Sequence, residues 1–147
     1  MSGLEALYQE LLLDHSKRPR GKELADEHGR SATSHQHNPV CGDDVTLRVR
    51  LDEAGETIRD VTWDGAGCSV SQASASMLSE LVEGLPVGEA SALIDGFRTA
   101  LRSRGAIPLD EDVYLDAAAL SGVSKYVARV KCAMLAWVAL EDALARA

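Results

Sequence analysis

Apolar residues recur at helical spacing from the start of the chain. Leu4, Leu7, Tyr8, Leu11 and Leu12 fall on one side, with Glu5, Gln9, Glu10 and Asp14 opposite. This spacing predicts an amphipathic helix over residues 4–16, stopped by Pro19 and Gly21. Residues 18–39 are polar and rich in breakers, with one short extended piece around 31–37. The period then changes to two. Val45, Leu47, Val49 and Leu51 alternate with Thr46, Arg48, Arg50 and Asp52, the pattern of a half-buried strand. After a turn at residues 53–56, Ile58, Val61 and Trp63 predict a second strand, antiparallel to the first through a short hairpin.

From Ser69 onward the pattern is helical. Residues 69–82 carry Val70, Ala73, Met77, Leu78 and Leu81 as an inner stripe, and 87–102 form another helix after Gly84 and Pro86. A short helix or irregular segment occupies about 112–121. The last helix, about 125–145, carries Val127, Val130, Leu135, Val138 and Leu140. No internal repeat interrupts this order. Strands followed by helices imply an α+β fold: a small antiparallel sheet of two to three strands with helices on one face, a single domain over residues 1–147.

Composition narrows the function classes. No apolar run approaches the roughly 18 residues of a membrane span. The first helix is acidic and amphipathic, unlike a secretory signal, so the expected location is the cytoplasm. A formal net charge of −8 argues against a nucleic-acid binder and against anionic membrane surfaces. The short basic cluster Lys17, Arg18 and Arg20 reads as a solvated helix end or a partner-docking patch. Three cysteines, an odd number in a reducing compartment, do not make a disulfide framework. Metal binding, thiol chemistry and simple burial as small hydrophobes are the readings left.

Each cysteine stands at the end of an element or within one. Cys41 lies in "NPVCGDD", ahead of the first strand, where Gly42 lets the backbone turn before Asp43. Cys68 lies in "GAGCSVS", opening a helix whose dipole and free N–H groups favour a thiolate. Cys132 lies in "RVKCAMLAW" on the last helix, with Arg129 three residues earlier on the same face. Singly, these read as a tight turn, a glycine-rich connector and a core position. If the three converge, Asp43 supplies the fourth ligand of a tetrahedral Cys₃Asp site, which zinc accepts. Such a set carries a formal charge of about −2, which Arg129 and Lys131 can offset. Single ligands from distant elements, one of them a hard carboxylate, suit ligand exchange better than structural stapling.

These motifs resemble those of the IscU/SufU family of iron–sulfur assembly proteins, over nearly the whole chain. "LYQELLLDHSKRPRG" is similar to the family's opening helix, with its D-H-x-x-x-P-R run at Asp14, His15, Pro19 and Arg20. The three cysteine motifs match in order and separation. Lys131 stands where scaffold-type IscU proteins carry a histidine. The segment before the last helix is similar to the SufU insertion, ending in Gly122-Val123-Ser124-Lys125, and no L-P-P-V-K motif is present. The resemblance implies a SufU/IscU-like fold. It further implies a zinc-dependent sulfurtransferase working with a SufS-type, pyridoxal-phosphate cysteine desulfurase and with downstream iron–sulfur assembly proteins. Cys41, Asp43, Cys68 and Cys132 would hold zinc, and Cys41 would accept the sulfur. A desulfurase histidine would displace a zinc ligand and free that thiolate, and Arg129 would contact the thiolates or the partner. The alternative within the family is a scaffold that assembles a [2Fe–2S] cluster on the same ligands.

Other polar residues read more plainly. His35 and His37 share one face of an extended segment as exposed strand residues, and His15 packs or caps near the end of the first helix. Ser71, Ser74 and Ser76 have no neighbouring histidine–acid arrangement in sequence that would mark a serine nucleophile. Trp63, Trp137 and Tyr8 read as core or interface aromatics, with Tyr8 placed for partner docking.

Overall fold

The computed structural model describes residues 3–27, 29–39 and 42–147, without the side chains of residues 3–5; Cys41 lies outside the described residues. In chain order the elements are α1 Gly3–Lys17, β1 Ser31–Asn38, β2 Asp43–Leu51, β3 Ile58–Ala66, α2 Ser69–Val82 and α3 Val87–Leu101. There follow α4 Glu111–Tyr114, a run of 3₁₀ turns over Leu115–Lys125, and α5 Val127–Arg146. No helix among the described residues is long and apolar enough to cross a membrane.

The alternating pattern of β2 becomes alternating burial. Asp43, Val45, Leu47, Val49 and Leu51 all face the core, four aliphatic residues and one acid at the strand's head. β2 is the central strand, antiparallel to β1 from Ser31↔Arg50 to Asn38↔Asp43 and to β3 from Leu51↔Ile58 to Asp44↔Ala66. The outer edge of β3 is covered by the chain that leaves α1. Trp63 donates its N–H to Gly21 O at 2.9 Å, and Glu23 donates to Trp63 O at 2.8 Å. Pairing of this kind removes an open edge that would otherwise template aggregation.

The helices lie against one face of the sheet, α5 on β1 and β2, α2 on β3, with α1 packed on α2. Of the apolar residues that mark α5 in the sequence, Leu140 is fully buried. Val127 is 62 % exposed, and Val130, Leu135 and Val138 are only partly buried. The buried line is Ala133, Ala136, Trp137, Leu140 and Ala143. Small residues face inward because α2 approaches closely, while Val127, Val130 and Val138 turn toward α3. Ser74 bridges the two helices, donating to Ala133 O at 2.6 Å and accepting the Trp137 indole N–H at 2.9 Å. Trp137 in turn stacks on Phe97 of α3, ring centroids 3.7 Å apart.

The N-terminal helix is fastened at two places. His15 is fully buried, with Nδ1 2.6 Å from Ser76 Oγ and Nε2 2.9 Å from Asp116 Oδ2. Ser76 Oγ also accepts the Arg20 N–H at 2.7 Å. Ser76 and Asp116 hold one ring nitrogen of His15 each. Serine, histidine and acid thus meet in space although nothing in the sequence links them. Ser76 is fully buried, so the trio is a clasp joining α1, α2 and the 3₁₀ turns and offers no nucleophile. Further toward the N-terminus, Tyr8 donates its hydroxyl to Glu111 Oε1 at 2.6 Å. Loss of hydration and that bond push the Tyr8 phenol up to about 12.

Ser74→Ala leaves the Trp137 N–H buried without its acceptor and should cost about 1–3 kcal/mol, read as a lower denaturant midpoint at unchanged slope. The Tyr8 tie favours the neutral phenol. Its contribution is complete below the ordinary tyrosine range near about pH 10 and is lost as pH rises through about 12. Ultraviolet titration of the protein against Tyr8→Phe should isolate one phenol ionising in that upper range.

Candidate metal centre

Three elements meet where β2 begins, β3 ends and α2 starts. Asp43 opens β2 on its core-facing side, so its carboxylate is fully buried. A buried carboxylate is costly unless its oxygens are answered. Oδ1 accepts the Cys68 N–H at 2.9 Å, and Oδ2 is turned toward Cys68 Sγ at 4.0 Å. Cys68 is the N-cap of α2 and makes no side-chain capping bond of its own. The free N–H at the start of α2 is met by Asp43, contributed by another element. Ser71 instead donates its hydroxyl to Cys68 O at 3.0 Å.

Cys132 projects from α5 into the same place, 3 % exposed, with Sγ 3.7 Å from Ala128 O. One ligand atom each from Asp43, Cys68 and Cys132 lie within 4.8 Å of one another. Tetrahedral zinc with Zn–S bonds of ~2.3 Å sets its sulfurs about 3.8 Å apart, so the donors stand close to a zinc-sized arrangement. The donor chemistry fits as well: two sulfurs and a carboxylate oxygen left facing them by the bond at Oδ1. The back of the socket is closed by Asp43 and Cys132, whereas Cys68 is exposed at its lip. Gly42, the neighbour of Cys41, has φ +69°, the left-handed turn expected between Cys41 and Asp43, and donates its N–H to Asn38 O at 2.8 Å.

The cradle also depends on residues that carry no ligand atom. A Cβ on Gly67 would lie 2.4 Å from Asp43 Oδ1 and 2.6 Å from Ser71 Oγ, so only glycine fits there. Gln72 donates its amide to Gly67 O at 3.0 Å and accepts from Lys22 Nζ at 3.3 Å, fastening the turn before Cys68. The glycine in "GAGC" was readable as a turn residue. Nothing in the sequence marked Gln72.

The remaining candidates lie apart. Arg129 is exposed, its guanidinium 5.7 Å from the centroid of the Tyr126 ring, and it forms no ion pair among the described residues. Lys131 is exposed on another side of α5. His35 and His37 are exposed on β1 and share Asp44, at 2.8 and 3.7 Å.

Comparison with known proteins gives the family. The sequence profile of the NifU-like N-terminal domain matches residues 7–145. The chain belongs to that family. It is 36% identical over 146 residues to the zinc-dependent sulfurtransferase SufU of Bacillus subtilis (strain 168), covering 99% of this chain and 94% of the relative. It is 38% identical to the iron–sulfur cluster assembly scaffold protein IscU of Streptococcus pyogenes serotype M1, with 99% and 87% covered. A crystal structure from Fervidobacterium islandicum AW-1, assigned as an iron–sulfur cluster assembly scaffold of the SUF system, superposes with TM-score 0.78 at 33% identity. That likeness covers 97% of this chain and 99% of the other.

In this NifU-like domain Gly67→Ala should push the Asp43 carboxylate off its bond to the Cys68 N–H while leaving the core intact. Zinc affinity, measured by competition with a chromophoric chelator, is expected to fall about 10–100-fold, with little change in far-ultraviolet circular dichroism.

Proposed function

We propose that the chain is a zinc-dependent sulfurtransferase, taking persulfide sulfur from a SufS-type cysteine desulfurase and passing it to iron–sulfur cluster assembly. The observation that carries this reading is the Asp43–Cys68–Cys132 cluster, with Cys41 two residues before its carboxylate. Full-length similarity to SufU and Lys131 before the third cysteine support it. Cys41, Asp43, Cys68 and Cys132 are the residues that would hold zinc. When bound, zinc keeps coordinated thiols deprotonated at neutral pH and guards them from adventitious oxidation.

The protein's own residues supply the rest. Gly42, next to the acceptor in sequence, is in a left-handed turn, and Asp43 beyond it is fully buried in the core. The Cys41 thiolate attacks the outer sulfur of the desulfurase persulfide. The donor's sulfur–sulfur bond breaks, the desulfurase cysteine leaves as a thiolate, and Cys41 carries the transferred sulfur with no net oxidation or reduction. Asp43, held at Oδ1 by the Cys68 N–H, keeps one oxygen toward the thiols throughout. Arg129, exposed at the start of α5, is assigned to the partner contact.

A second reading is favoured by one observation, the 38% identity to a protein named as an IscU scaffold. There the same thiolate-rich set would bind a [2Fe–2S] cluster. Tandem mass spectrometry after incubation with desulfurase and cysteine should find added sulfur on Cys41, and purified protein should carry about one zinc per chain. Cys41→Ser should take up none and lose stimulation of the desulfurase. Normal stimulation by that variant would sink the transfer reading. A stable cluster that activates an apo-ferredoxin would favour the scaffold.

A further inference from the structure

A groove of about 340 Å³ runs between the end of α3 and the first half of α5. Its apolar surface includes Val127, Val130, Met134 and Val138, and Arg98, Arg102, Arg104 and Lys131 also line it. No acidic side chain is among its lining residues. Arg98 is held by Glu141 and Asp95, but Arg102, Arg104 and Lys131 form no ion pair among the described residues. In a chain of net charge −8 this is a local reversal of sign.

Ordinary helix electrostatics explain little of it. Arg102 caps the C-terminus of α3, where a cation is favoured, whereas Lys131 lies near the N-terminal end of α5 and gains nothing from the dipole. Arg104 has φ +55°, a left-handed conformation that costs energy for any residue with a Cβ. Strain is thus spent on an arginine at the rim of an apolar groove, where glycine would have been easier.

The groove also looks away from the metal centre. At about 100° per residue, Val127, Val130, Lys131, Met134 and Val138 fall between about 160° and 260° around α5 from Cys132. An occupant here leaves the thiols uncovered.

We propose that this groove docks an acidic amphipathic helix of a protein partner, on the face of α5 behind the metal centre, so that this partner and a sulfur donor can be held together. Two flanking helices and a floor of branched and sulfur side chains match the apolar ridge of such a helix, and the unpaired cations match acidic flanks. A nucleic acid would leave the floor unused and meet the chain's overall negative charge.

The test uses full-length zinc-loaded protein and a fluorescent helical peptide of about 18 residues, with leucines at helical spacing and glutamates elsewhere. The glutamate peptide should bind with Kd below about 100 μM, and its lysine counterpart at least about tenfold more weakly. Amide shifts should cluster on Val127, Val130, Lys131, Met134 and Val138, with zinc content unchanged. Arg104→Glu with Lys131→Glu should weaken binding at least about tenfold. Arg104→Gly, which relieves the backbone, should raise the unfolding midpoint and still weaken binding. The proposal is overturned by no binding up to about 1 mM, by shifts centred elsewhere, or by affinity indifferent to these variants. Displacement of the peptide by a single-stranded oligonucleotide at comparable concentration would assign the groove to polyanions and overturn it too.

Discussion

Ser74 stands where α2 and α5 come together, giving its proton to the Ala133 carbonyl and taking the indole N–H of Trp137. Both of its bonds cross between helices, and it is fully buried. A satisfied polar bridge of this kind fixes one sliding position of α5 along α2, which apolar packing alone would leave softer. From that position the rest follows. Cys132 lies one residue before Ala133 and is carried to the start of α2, where Cys68 caps the helix. Trp137, held by the same hydroxyl, stacks on Phe97 and ties α3 to the pair. Small side chains at Ala73, Ala133 and Ala136 are the sequence's means of permitting the approach.

Asp43 shows what such a framework can hold. Four aliphatic residues of β2 enter the core on the same side as this carboxylate. The strand therefore breaks its own pattern at its head, and local rules are expected to fail where function is built. Its charge is tolerated because the Cys68 N–H meets one oxygen at the positive end of α2. The other oxygen faces the Cys68 thiol, a long donor at 4.0 Å, and a metal ion bound there would take the place of that proton. A metal bound by this group would couple its binding to local stability through a single carboxylate.

The sequence was legible wherever side chains alone determined the outcome. The alternation of β2, the breakers around Pro19 and Gly84, and the turn at Gly42 all gave their elements directly. β1 was faint because SATSHQHN carries no apolar alternation; it is held by backbone pairing to β2 and by Ser34 donating to Asp142 at 2.7 Å. The apolar spacing of α5 marked the helix but not its whole buried line, because the close approach of α2 selects alanine at 133 and 136. The His15 clasp was invisible for another reason. Its members are separated by 61 and 101 positions, and only the fold brings them together. At the candidate metal centre the motifs pointed to Asp43, Cys68 and Cys132, which the fold brings together, but the bond from the Cys68 N–H to Asp43 and the support from Gln72 depend on three-dimensional neighbours.

The cations of α5 draw these threads together. Arg129 lies about 60° from Cys132 around the helix and Lys131 about 100° the other way, toward α3. Two residues apart in sequence, they serve different surfaces. Arg129 flanks the side on which the thiols gather, and Lys131 borders a groove from which they are hidden. One helix can therefore present a cysteine to the interior at one azimuth and separate charges to solvent at two others. That division follows from helical geometry and from Ser74, which fixes how α5 is seated. A small rotation of α5 would disturb the cysteine and both cationic faces together.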